Sequence, residues 1–180
     1  IEMDLRGALA KHEMRLHYQS LVDTITGEIT GYEALVRWVH PTRGIVMPST
    51  FIPIAEETGL IVQLGEWVIR QAMRDLANWP DHHTVSINLS PAQMRSPGLI
   101  STIVNGIASN RIDPARVCFE ITETVLMQDS DANIETLHKM REIGVDIALD
   151  DFGTGYSSLN YLRSFPFSKI KIDRCFIDEI

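Results

Sequence analysis

Two adjacent aspartates, Asp150 and Asp151, close the apolar run Val145-Asp146-Ile147-Ala148-Leu149 and lead into Phe152-Gly153-Thr154-Gly155. Successive side chains of a strand point to opposite faces, so in mid-strand only one of the pair would serve a buried site. At a strand end, where the backbone turns away, both can reach a cation. The glycines admit loop conformations closed to other residues. Asp and Gly are also ordinary turn residues, and a solvated turn accounts for this stretch equally well when it is read alone. Polar groups recur at comparable places elsewhere: Asn88 after Thr84-Val85-Ser86-Ile87, Glu120 and Glu123 in Arg116 to Glu123, and Lys171 in Phe167 to Asp173. Glu33 lies in Glu28 to Trp38 and shares strand parity with Leu35 and Arg37. An exposed edge strand carrying an ion pair is the alternative for that last stretch.

If Glu33, Glu120, Asp150 and Asp151 converge with Asn88, their like charges raise one another's pKa values. Lys171 supplies one compensating charge, and divalent cations supply the rest. Oxygen-only donors favour Mg²⁺ or Mn²⁺ over Zn²⁺, which prefers nitrogen and sulfur. Asp150 could bridge two ions ~3.5–4 Å apart, the arrangement of two-metal phosphoester hydrolysis. In that scheme Lys171 orients the attacking hydroxide or neutralises developing charge, and the planar donor fork of Arg37 suits a phosphate oxygen.

The elements that must position these groups alternate. Arg15 to Val22 reads as a strand, with His17 and Gln19 on one face and Leu16 and Tyr18 on the other; it pairs with Glu28 to Trp38 across the Asp23 to Gly27 turn. Pro48 to Pro53 opens a helical segment over Ile54 to Glu57. A longer helix runs from about Val62 to Trp79, with Leu64, Val68, Ala72 and Leu76 as its buried stripe and Pro80 as its stop. Thr84 to Ser90 is the next strand, followed by a helix over Gly98 to Ser109, the Arg116 to Glu123 strand, and a helix from Asp129 with Ile134, Leu137 and Met140 as its apolar positions and Gly144 at its end. A short helix around Ser158 to Leu162 and the Phe167 to Asp173 strand complete the order. Strands and helices in alternation imply parallel strands joined by right-handed crossovers. Ligands of such folds sit at the strand C-termini, where these polar residues collect. About six strands fit a (β/α)₈ barrel cut short, since a barrel has eight strands and about 250 residues; an open doubly wound sheet is the other arrangement. Asp81-His82-His83 has metal-like composition, but neighbouring histidines in a loop are more often solvated.

Composition narrows the class. The chain has 180 residues, 44% of them hydrophobic, and a formal net charge of −8. That charge argues against a nucleic-acid polymer as partner, because such binding rests on phosphate neutralisation by Lys and Arg. An anionic ligand held through cations is compatible with it. Two cysteines, Cys118 and Cys175, make no disulfide framework and suit a reducing cytoplasm. No run is long enough to span a bilayer, and the N-terminal residues show no signal-peptide pattern.

Glu33-Ala34-Leu35-Val36-Arg37 resembles the signature of EAL domains, the cyclic di-GMP phosphodiesterases. The resemblance continues in order through Asn88-Leu89-Ser90, Glu120-Ile121-Thr122-Glu123, Asp150 to Gly155 and Lys171-Ile172-Asp173, across essentially the whole of residues 1–180 as one domain. It implies an α/β fold of the TIM-type barrel class with an atypical opening strand, and hydrolysis of cyclic di-GMP to linear pGpG with Mg²⁺ or Mn²⁺. By resemblance, Glu33, Asn88, Glu120, Asp150 and Asp151 are metal ligands. Lys171 is the catalytic lysine, acting with the metal-bound Glu33. Gln19, Leu35 and Arg37 are ligand contacts, and Glu123 holds the loop after Asp151, which the family also uses in homodimer contacts. Relatives continue with two further strands bearing a glutamate and a Gln-Gly pair, and often carry sensory or diguanylate cyclase domains, some on membrane-anchored proteins. Two other functions stay open: a receptor that holds cyclic di-GMP without turnover, and a barrel enzyme that abstracts a proton beside a carboxylate.

Overall fold

Asp23 makes the first turn. Its carboxylate accepts hydrogen bonds from the backbone N–H groups of Ile25 and Thr26 at 2.9 and 2.8 Å, and Gly27 follows with φ +74°. This Asx turn folds β1 (Met14–Val22) antiparallel onto β2 (Ile29–His40), with Gln19 opposite Glu33 and His17 opposite Leu35. The computed structural model describes residues 1–127, 130–153, 165 and 167–176. A helix that sequence periodicity does not announce, α1 (Glu2–Ala8), precedes the hairpin. A short strand, β3 (Gly44–Val46), folds back on β2.

From β2 onward the chain alternates. Helices α2 (Pro48–Glu57) and α3 (Leu60–Leu76) lead to β4 (Thr84–Asn88); α4 (Pro91–Met94) and α5 (Leu99–Asn110) lead to β5 (Val117–Thr122); α6 (Glu123–Met127) and α7 (Ser130–Ile143) lead to β6 (Asp146–Phe152); and β7 (Lys169–Ile172) follows. The expected helix around Ser158 to Leu162 lies outside the described residues. Strands β2, β4, β5, β6 and β7 are parallel neighbours in chain order. A doubly wound sheet reverses its strand order at a switch point; this sheet does not. With right-handed crossovers, helices then fall on one face, as in a barrel wall. The architecture is mixed α/β and barrel-like.

Parity divides the sheet. Ala34, Trp38, Val85, Ile87, Val117, Phe119, Ile121, Ile147 and Leu149 are buried, and all belong to the core that includes Leu64, Ile69, Ala72, Met73 and Leu76 of α3. The opposite parity carries Glu33, Ser86, Asn88, Glu120, Asp150 and Lys171. The stripe Leu64, Val68, Ala72 and Leu76 is buried as its helical spacing predicts.

Several boundaries differ from the sequence reading. Helix α2 begins at Pro48, not after Pro53, because proline is at home in a first turn. Helix α3 ends at Leu76, before Trp79 and Pro80. Arg116 explains the early stop: its guanidinium donates to the carbonyls of His83, Pro80, Leu76 and Trp79 at 2.9 to 3.3 Å. Strand β4 stops at Asn88 because Ser90 caps α4, accepting from the N–H of Gln93 while the Gln93 side chain accepts from the N–H of Ser90. In α7 the inward position beside Leu137 and Met140 belongs to Asn133, not Ile134; Asn133 is 1% exposed and donates to the Val125 carbonyl at 2.6 Å. His83 packs edge-on against Tyr32 and no metal cluster includes it among the described residues.

Gly65 of α3 leaves room for that same Gln93. A Cβ on Gly65 would run into the side-chain amide of Gln93, which is buried and engaged in the cap of α4. Overpacking costs about 1–3 kcal/mol and a lost cap about 1 kcal/mol. Alanine's helix propensity returns only about 1 kcal/mol. Gly65→Ala is therefore expected to lower stability by roughly 1–3 kcal/mol, read as a lower urea midpoint at unchanged m-value.

Candidate active site

Glu120 enters the site from the middle of β5, a strand whose first five residues are all buried. Its side chain is 2% exposed. An ionised carboxylate there needs a partner, since desolvating it alone costs several kcal/mol. The partner is Lys171 on β7, whose Nζ lies 2.5 Å from Glu120 Oε2, 2.9 Å from Asp150 Oδ2 and 3.4 Å from Glu33 Oε2. Three strands, β2, β5 and β6, thus deliver carboxylates to one ammonium carried by a fourth, β7. The sheet register makes this possible by pairing Asn88 with Glu120 and Thr122 with Asp150. Asn88 completes the ring through its amide, which donates to Glu33 Oε1 at 2.8 Å.

Charge explains the titration of these groups. Burial raises the Glu120 carboxyl above its ordinary value, opposed by the hydrogen bond from Lys171 and by its charge. Burial works against the charged form of Lys171, but hydrogen bonds to Glu120 and Asp150 outweigh it and hold the amine well above its ordinary value. Lys171 is a firm cation. Three carboxylates facing one ammonium leave the cluster net negative when all are ionised.

Asp151 is placed differently from Asp150. Its backbone is left-handed, φ 53°, and its N–H donates to Asp150 Oδ1 at 3.0 Å. Its carboxyl is exposed yet raised, by partial burial first and then by the charges of Asp150 and Asp173. The strand end therefore turns as expected, and both carboxylates remain within electrostatic reach of Lys171. Gly153, φ +98°, donates its N–H to Glu123 Oε1 at 3.2 Å, so the first residue of α6 ties down the chain just after Asp151.

On β2, Leu35 and Arg37 follow Glu33 on the same face. Arg37 is half-buried and donates to the Val36 carbonyl at 2.8 Å. Gln19 is exposed and faces Glu33 across the β1–β2 register. Leu35 and Asn88 also border an apolar cavity of about 300 Å³, walled by Ile52, Leu64, Pro91 and neighbours, with Glu56 among its polar groups. The structure thus brings Glu33, Asn88, Glu120, Asp150 and Lys171 together, sets Asp151 and Glu123 beside them, and places Gln19, Leu35 and Arg37 on the adjoining wall. Sequence reasoning missed Ser86, buried on the face of β4 that carries Asn88, whose hydroxyl helps hold down the Glu120 carboxyl. Its parity with Asn88, two residues on, was the available signal.

The cluster's donors are oxygens, and they already surround a cation. That chemistry fits a hard divalent ion. The side chains close on the ammonium rather than on a common metal position: no set of three His, Cys, Asp or Glu among the described residues has metal-site spacing.

A family model of the EAL domain matches residues 2–180. The chain belongs to the EAL domain family. Among curated relatives, it is 52% identical over 180 residues to protein y4lL of Sinorhizobium fredii, covering all of this chain and 22% of that protein. It is 44% identical over 181 residues to MucR of Pseudomonas aeruginosa, a bifunctional diguanylate cyclase/cyclic di-GMP phosphodiesterase, covering 98% of this chain and 26% of MucR. The chain thus spans about a quarter of the length of these relatives. The solved structure of the MucR phosphodiesterase in complex with c-di-GMP superposes with a TM-score of 0.93 at 44% identity, over 98% of this chain and 73% of that one. The barrel-like sheet is therefore the EAL fold.

The Glu123–Gly153 contact can be measured directly. A hydrogen bond to a charged acceptor contributes about 1.5–3 kcal/mol. Glu123→Ala is expected to lower amide hydrogen-exchange protection at Gly153 by roughly ten- to hundred-fold, while Glu123→Gln, which keeps an acceptor, restores most of it. Unchanged exchange in Glu123→Ala would remove Glu123 as the anchor of this loop.

Proposed function

We propose that this EAL domain hydrolyses one phosphodiester of cyclic di-GMP, giving linear pGpG. The observation that carries this reading is the convergence of Glu33, Glu120 and Asp150, from three strands, on the Lys171 ammonium. The 44% identity to MucR, a named cyclic di-GMP phosphodiesterase, supports the choice of substrate. Glu33, Asn88, Glu120, Asp150 and Asp151 would hold Mg²⁺ or Mn²⁺, which when bound supplies an activated water and neutralises phosphate charge. Two ions suit the number of donors.

The chain's own residues do the rest. Glu120, buried and fixed by β5, anchors the cluster. Lys171 presents an ammonium to the water that attacks phosphorus and to the negative charge that builds on the phosphate. Arg37 lies on the adjoining wall, where its donor fork can grip a phosphate oxygen. Gln19 and Leu35 line the same wall, and the apolar cavity beside Leu35 has the size and character to take a flat base. Glu123 steadies the loop that carries Asp151. The further reading, by analogy with MucR, is a signalling domain joined to cyclase or sensory domains and working in the cytoplasm. It would pair with a second copy through the segment after Gly153, of which residues 154–164 lie outside the described residues.

The test is to incubate the full-length protein with cyclic di-GMP and Mg²⁺ or Mn²⁺ and separate the products. Linear pGpG is expected. Glu33→Ala and Asp150→Ala should abolish it. Lys171→Ala should lower kcat by about 10²-fold or more with a much smaller change in ligand affinity. Tight binding without product under either metal would make the domain a receptor, and an unchanged Lys171→Ala rate would remove the lysine from the chemistry.

A further inference from the structure

The position of Lys171 has a consequence beyond its part in hydrolysis. Its Nζ occupies the point on which Glu33, Glu120 and Asp150 converge. Those same oxygens are the ones a divalent cation would need. Glu33 and Asp150 are only 16% and 17% exposed, and Glu120 is 2% exposed, so these carboxylates have little room to turn away from the ammonium toward an ion placed elsewhere. Asn88 further restrains Glu33 through its amide. The lysine stem is longer and more exposed, at 31%. When cations compete for these carboxylates, the flexible partner is the one that can move.

We propose that Lys171 is a resident counter-ion that competes with the divalent metal for Glu33, Glu120 and Asp150, so that metal loading is what releases its amine toward the substrate. This rests on the metal-dependent reading of the site. The ammonium keeps buried carboxylates from repelling one another before metal arrives. It also sets a threshold, because an entering ion must displace it from three ion pairs and then tolerate a neighbouring positive charge. Below that threshold the amine is tied to carboxylates and unavailable to the attacking water.

Titration calorimetry of the full-length protein with Mn²⁺, without nucleotide, tests the competition. Lys171→Met keeps the stem and removes the charge, and is expected to bind Mn²⁺ at least ten-fold more tightly than the wild type, whereas Lys171→Arg is not. In chelator, Lys171→Met should melt below the wild type, and Mn²⁺ should raise its Tm by more than it raises the wild type's. Equal or weaker Mn²⁺ binding by Lys171→Met would overturn the competition while leaving the metal site standing. Absence of Mn²⁺ binding by both proteins would sink the metal-dependent reading itself, and the competition with it. A measurement on the unaltered protein guards against a variant that does not fold: in ¹⁵N-lysine NMR, the Lys171 ammonium signal should shift as Mg²⁺ saturates the site. A signal unmoved at saturation would overturn the proposal.

Discussion

A carboxylate among the buried residues of β5 is the constraint from which the site follows. Glu120 cannot be ionised there without a cation at contact distance, and it is held by β5 too firmly to swing toward solvent. Lys171 meets it from β7, two strands away across β6. That pairing requires β6 to lie between them in parallel register, which places Asp150 opposite Thr122, two residues beyond Glu120 and within reach of Lys171. It also requires the hairpin to bring Glu33 in from the other side. One buried charge thus dictates the relative heights of four strands.

The arrangement is costly and specific together. Replacing a buried ion cluster with apolar residues is often neutral or stabilising. The protein keeps three carboxylates where one ammonium does not balance them, and surrounds them with a close-packed shell whose Trp38, Phe51, Phe119 and Ile87 are fully buried. The shell supplies the stability that the cluster does not. This division follows parity along β2, β4, β5 and β6: alternate residues join the core and hold the fold, and the others face the chemistry.

Parity is also why so much was legible in the sequence. Strict alternation in β4 and β5, and the shared face of Glu33, Leu35 and Arg37, are read from spacing alone. The α3 stripe needs only a 3.6-residue period. What escaped depended on contacts between distant residues. The end of α3 is set by Arg116, forty residues downstream of Leu76, which no local signal reveals. The inward face of α7 includes Asn133 because a carbonyl at Val125 needs its amide, and a hydropathy pattern sees only a polar residue. Helix α4 was readable in principle, since Ser90-Pro91-Ala92-Gln93 has capping-box spacing, but four residues give no periodicity. Spacing gathers the acids at one rim; it does not say which of them the lysine touches.

Arg116 leaves one further mark on the molecule. A single guanidinium gathers carbonyls spread from the end of α3 to the entry of β4; its hydrogen bonds all go to main-chain oxygens, and the exposed Asp81 carboxylate adds an ion pair at 3.5 Å. The hydrogen bonds of that grip do not depend on side-chain identity, although the rings of Trp79 and His83 are fixed separately by their packing on Tyr18 and Tyr32. Length is another matter. An inserted or deleted residue would pull at least one oxygen out of reach of a rigid planar fork, so this bend should resist the indels that surface connections usually allow.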